Sequence, residues 1–169
     1  MPAAAQAILD RWKDADERVR LLQVVQPGLI GLIDGTVSTL APIFASAYVA
    51  GSRAALLVGL ASALGAAISM GISEALSDDG SLTGRGNSLN RGLITGAATF
   101  VGGTMHSLPF LIGDVQQALM LAYAVVAVEL LAIAFVRKRY LKVALSQSLV
   151  QVTMAGTLVA GVGIAIGHA

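Results

Sequence analysis

The chain has no cysteine, only two histidines and four prolines, and only 12% of its 169 residues are charged. Without cysteine, disulfides, thiolate metal sites and thiol catalysis are excluded. With His106 and His168 its only histidines, a histidine-rich metal centre is excluded as well. The charged fraction is about half of the roughly 25% usual in soluble domains. Glycine-containing SDDGSLTGRG lacks the GxxxxGK[ST] spacing that cradles phosphate. No catalytic cleft and no nucleic-acid patch is encoded, so the chain is not expected to be an enzyme.

What is present is apolar. Hydrophobic residues make up 56% of the chain and the mean hydropathy is +0.77, which points to a small polytopic membrane protein. The expected fold is all-α, with five transmembrane helices and a short amphipathic N-terminal helix. The spans are expected at roughly 28–50, 54–76, 91–112, 115–136 and 143–167, each about 20 residues or more and able to cross a hydrocarbon core of about 30 Å. Breaks fall at AGSR, SDDGSLTGRGNSLN, the GD at 113–114 and RKRYLK. Asp114 followed by Gln117 reads as a helix start. The domain division is a cytoplasmic amphipathic segment, 1–27, and a transport domain, 28–169.

In the first 27 residues, Ile8, Leu9, Trp12, Ala15, Val19 and Leu22 line one helical face and charged residues occupy most of the rest. This stretch is charged where a signal peptide would be apolar. Pro27 and Gly28 are expected to turn the chain into the bilayer. Arg11, Lys13, Arg18, Arg20, Arg85, Arg91, Arg137, Lys138, Arg139 and Lys142 fall on one side of the expected topology, and only Arg53 on the other. The positive-inside rule then places the N-terminus in the cytoplasm and the C-terminus outside.

The chemistry lies in acids inside apolar runs. Asp34 interrupts GLIDGTVSTLAPIFA and Glu129 interrupts LAYAVVAVELLAIAFV. An ionisable group in such a run is costly in lipid and faces a bundle interior or an ion path. At 1.5 Å per residue, Asp34, Met70 and Glu129 are each expected roughly 9–10 Å from the cytoplasmic surface. Glu74 lies one turn nearer the cytoplasm than Met70. His106 is expected roughly 9 Å from the opposite surface, as an exit-side waypoint. Thr36, Ser38 and Thr39 add hydroxyls near Asp34, and Pro42 frees a carbonyl. Carboxylate with thioether suits a borderline transition metal better than Mg²⁺ or Ca²⁺. Glu129 is also a coupling-proton candidate.

GLIDGTVSTLAPIF, ISMGISEALS and RGLITGAATFVGGTMHSLPFLI resemble the vacuolar iron transporter family. The SDDGSLTGRG linker and the GGTMHSLPFLI segment are most similar to the membrane domain of bacterial membrane-bound ferritins. The resemblance implies a homodimeric Fe²⁺ or Mn²⁺ carrier exchanging metal for protons, with the path between subunits. By it, Asp34 and Met70 are path ligands and Glu74 a cytoplasm-side acid. It also implies a bacterial inner membrane and export from the cytoplasm. The Glu-rich insert that plant and protozoan members carry between spans two and three is missing. Two alternatives follow from that departure and from the acids alone: a non-transporting structural or regulatory membrane protein, and a metal-independent carrier of protons or small cations.

Overall fold

The computed structural model describes residues 16–169, all of its regular structure helical. Ile8, Leu9, Trp12 and Ala15 of the expected amphipathic face lie outside the described residues. A helical run of 62 residues, Asp16–Ser77, comes first. It contains a π-helical turn, Leu21–Val25, then α1, Gln26–Ser38, and α2, Leu40–Ser77. After a loop come α3, Ser88–Met105, a 3₁₀ turn at Leu108–Leu111, α4, Val115–Leu141, and α5, Leu145–Gly167.

Three of these helical segments, not five, are long and apolar enough to cross a membrane: Asp16–Ser77, Val115–Leu141 and Leu145–Gly167. Two causes account for the difference. The first two expected spans belong to one helical run. Pro27 does not break it: the π-helical turn Leu21–Val25 precedes it, and Pro27 falls in the first turn of α1 with its fixed φ already helical. Gly51, at φ 78° and ψ −174°, then lets α2 double back without loss of helix on either side. The reversal is visible where Ile43 packs against Gly59. The expected third span is α-helical only to Met105, and α3 carries Asn90, Arg91, Thr95, Thr99 and Thr104 among its 18 residues.

The residues are distributed as in a membrane fold. Leu57, Leu64, Ile68, Ile72, Val128, Leu131, Phe135 and Leu158 point outward. Arg91, Thr36, Thr39, Thr95, Thr99, His106, Ser107 and Glu129 are buried with a series of alanines. The fold is therefore membrane-associated. In lipid, apolar burial gives helices no driving force, so small residues and interhelical hydrogen bonds hold them together.

Close approach of α1 to α3 is the clearest case. A Cβ at Gly31 would collide with the Thr95 carbonyl, and one at Gly35 with the Thr99 carbonyl. From the other side, a Cβ at Gly102 would meet the Leu32 carbonyl oxygen at 2.8 Å and the Thr36 nitrogen at 3.0 Å. Thr95 Oγ1 donates across the same seam to the Pro27 carbonyl at 3.2 Å. α2 meets α3 through Gly71, Gly92 and Gly96, and α5 seats Gly163 on the backbone of Ala41. Leu40, Ile43, Phe44, Phe110 and Leu119 form one apolar cluster; Leu29, Leu130, Ile133 and Val152 form a second.

Replacing Gly35 by Ala puts a methyl against backbone that cannot rotate away, and a loss of about 1–3 kcal/mol is expected. Gly65, with open space around its Cα, serves as the contrast: Gly65→Ala is expected to be neutral or to stabilise by up to about 1 kcal/mol. Unfolding of the two variants in mixed micelles checks both, and equal stabilities would contradict the seam.

Candidate functional site

The five residues expected to share one path occupy three places. Asp34 and Met70 face the same space. They line one groove of about 520 Å³ with Ile30, Ile33, Val37, Ser38 and Val159. α1 supplies the carboxylate, the returning arm of α2 the thioether and α5 the far wall. An adjoining groove of about 530 Å³ shares Ile30, Ile33 and Val37 and reaches Gln26, Arg137 and Gln151. Arg137 donates to Gln151 Oε1 at 2.7 Å, an interhelical bond between α4 and α5. Asp34 thus sits on a lane along α1 with polar groups at one end.

Glu129 and His106 are placed on one another instead. His106 Nδ1 lies 2.9 Å from Glu129 Oε2, with the imidazole fully buried and the carboxylate 7% exposed. On the other ring edge, Nε2 lies 2.8 Å from Thr39 Oγ1. Thr39 Oγ1 donates to the Gly35 carbonyl at 2.9 Å. The expectation that His106 and Glu129 stand near opposite surfaces is therefore corrected. It assumed helical rise up to residue 112. The chain beyond His106 instead runs through a 3₁₀ turn and then extended residues Ile112 and Asp114. Both advance farther per residue than an α-helix, so His106 caps α3 well inside the bundle.

Thr39 reaches this pair because the helix breaks there. Pro42, three residues on, has no N–H to give. Thr39 is the junction of α1 and α2, and its own N–H goes to Val37. The Gly35 carbonyl takes the Thr39 hydroxyl.

Glu74 is committed to structure. Its Oε1 accepts from Arg91 Nε at 2.8 Å and from Arg85 at 2.9 Å. Arg91 is buried, and its remaining N–H groups go to the carbonyls of Asp78, Arg85 and Gly86. One guanidinium thereby closes the loop between α2 and α3. Glu74, expected as a cytoplasm-side acid one turn from Met70, is thus held in an ion-paired loop. Thr39, Arg85 and Arg91 are the residues that sequence reasoning underused. Two arginines in the short connection after an acid were the available signal for the last two.

Among the described residues, no three of His, Asp and Glu come together as a metal cluster. Asp34 and Met70 present one carboxylate and one thioether to the same groove. Compared with protein-family models, with curated proteins and with solved structures, the chain matches none.

Removing one partner of a buried ion pair strands the other charge. Glu74→Ala is expected to cost about 3–5 kcal/mol in micelle unfolding, and Arg85→Ala, whose partner keeps Arg91, less. An equal, small loss in both would refute the lock.

The same loop carries an acid-sensitive group. Asp78 accepts from the Thr83 hydroxyl at 2.6 Å and the Gly80 N–H at 2.8 Å. These bonds, then the charges of Arg91 and Arg85, hold its carboxyl below the ordinary value of 3.8. A group lowered in the folded state stabilises above its unfolded value and loses that contribution as pH falls through the folded one. Protection of the amides across 78–86, relative to their intrinsic exchange rates, is expected to fall below pH 3.8, and in Thr83→Val to be lost at a higher pH. An unchanged profile in Thr83→Val would refute this assignment.

Proposed function

We propose that the protein carries a divalent metal ion, Fe²⁺ or Mn²⁺, across a membrane in exchange for protons. The observation that carries this reading is the groove in which Asp34 and Met70 stand together on two arms of one folded-back helix. A carboxylate in a membrane-embedded groove marks an ion path, and a thioether beside it favours a borderline metal over Mg²⁺ or Ca²⁺. A further ground is the resemblance of the segments that hold these two residues to the vacuolar iron transporter family.

Two side chains are fewer ligands than a divalent ion takes. The groove is open, and a homodimer that apposes two such grooves would supply two carboxylates and two thioethers around one path. Arg137, Lys138, Arg139 and Lys142 cluster at the end of α4 toward which the groove along α1 leads, and such a cluster favours the cytoplasmic side. Uptake from the cytoplasm and export, in a bacterial inner membrane, is the direction this favours.

The test is metal flux in proteoliposomes under an imposed pH gradient. Flux of Fe²⁺ or Mn²⁺ is expected to follow the gradient and to fall about tenfold or more in Asp34→Ala, the scale on which metal-site groups act. Met70→Leu is expected to lower Fe²⁺ flux more than Mn²⁺ flux, since it removes only the soft ligand. Flux no greater than that of protein-free vesicles, with the protein demonstrably folded, would overturn the reading.

A further inference from the structure

Behind the groove, on the opposite side of the same helix junction, is a chain of buried polar groups that the metal site does not use. Donors and acceptors there can be assigned. The Thr39 hydroxyl hydrogen is given to the Gly35 carbonyl, so its oxygen can only accept at the 2.8 Å contact with His106. Nε2 therefore carries a hydrogen. The 2.9 Å contact between Nδ1 and Glu129 Oε2 must then hold a second proton, on nitrogen or on oxygen, since two bare acceptors would repel. Glu129 Oε1 is buried with no partner, which leaves one oxygen of the carboxyl open to a water or a proton.

We propose that Glu129, His106 and Thr39 form a proton-holding relay that gives up one proton when a cation enters the groove beside Asp34. This rests on the carrier reading above and assigns its proton half. In the loaded state the Glu129–His106 pair is neutral overall, as carboxylate and imidazolium or as carboxylic acid and imidazole. On release, the Nε2 proton passes to water entering from the groove side of Thr39 and on to bulk solvent, while Nδ1–H stays hydrogen-bonded to the Glu129 carboxylate, so the pair becomes singly negative. Nε2 is then an acceptor. The Thr39 hydroxyl turns from the Gly35 carbonyl to donate to it. One proton departs and no covalent bond to carbon changes.

The rearrangement reaches the groove through the chain itself. Gly35 follows Asp34 directly, and its carbonyl is the group that the Thr39 hydroxyl releases. A cation beside Asp34 also opposes the imidazolium by simple Coulomb repulsion, strengthened in a low-dielectric interior. Both effects tie occupancy of the groove to loss of the proton.

Among the described residues, no other ionisable group on the packed helices pairs with these two. Tyr48 of α2 bonds Tyr123 of α4 at 3.1 Å, and Glu74 of α2 pairs with Arg91 of α3. Arg137 of α4 holds Gln151, and Asp34 of α1 lines the groove. α5 carries no ionisable side chain. Among the described residues, His106 and Glu129 have only each other as charged partner.

Two measurements on the full-length protein in lipid nanodiscs test the relay. In weakly buffered solution with a pH-indicating dye, titration with Mn²⁺ is expected to release protons from the parent. Glu129→Gln and Thr39→Val are expected to release about one proton fewer per chain, and Thr39→Ser to match the parent. Equal release by the parent and Glu129→Gln overturns the proposal. The second readout needs no metal. With only two histidines in the chain, ¹⁵N-histidine in a His168→Gln background reports His106 alone. Its ring-nitrogen titration is expected to change in both Glu129→Gln and Thr39→Val, and an unchanged titration in folded variants overturns the relay. If the parent binds no Mn²⁺, the carrier reading fails, and the ring-nitrogen titration still decides the relay.

Discussion

The near contact of two backbones, α1 on α3, is the constraint on which the rest of this molecule depends. Gly31 and Gly35 on one helix and Gly102 on the other leave no room for a Cβ. At that separation hydroxyls reach backbone across the seam, as Thr95 does to Pro27. Because α3 lies so close, its C-terminal cap, His106, comes within hydrogen-bonding distance of the junction that ends α1. A wider crossing would separate Thr39 from His106 and strand a fully buried imidazole edge, at a cost of about 1–3 kcal/mol.

The same economy explains the inverted distribution of residue types. Outward-facing leucines, isoleucines and valines match the lipid, so the interior is free to hold glycines, hydroxyls and charges. Charges are tolerated only where they are fully engaged. Arg91 meets this condition with a carboxylate and three carbonyls. Glu129 does not meet it, since one of its oxygens is bonded and the other is bare. That difference separates a charge that locks a loop from one that has work left to do.

Much of this was legible in the sequence, and the failures have identifiable causes. Asp34 and Met70 line one groove, and both lie in regular α-helix, where 1.5 Å per residue holds. The N-cap at Asp114 was equally readable, and Asp114 Oδ1 accepts from the Gln117 N–H at 2.9 Å. The hydropathy pattern suggests five spans where three helical segments qualify, because glycine and proline ordinarily break helices. At Pro27 and Gly51 helix continues on both sides. His106 was misplaced because the residues after it leave the α-helix, and no periodic signal marks a 3₁₀ turn of four residues. Glu74 was misread because an ion pair depends on the path of the loop that brings Arg85 and Arg91 back, and side-chain pairing across a loop has no sequence period.

What unites the groove and the buried pair is the break at Thr39. In an uninterrupted helix the Gly35 carbonyl would be bound by the amide four residues on, and its state could not change without unwinding a turn. Here the Thr39 amide is turned to Val37, and a side-chain hydroxyl, free to rotate about one bond, stands in its place. Rotation of that hydroxyl costs far less than a backbone rearrangement, yet it switches partners on both sides: an imidazole nitrogen behind the helix and a carbonyl beside Asp34. The amide missing at Pro42 frees the Ser38 carbonyl, whereas the turned Thr39 amide leaves the Gly35 carbonyl to the hydroxyl. That hydroxyl is the switch, which lets two sites on either side of a helix communicate while the tightly packed backbones around them stay still.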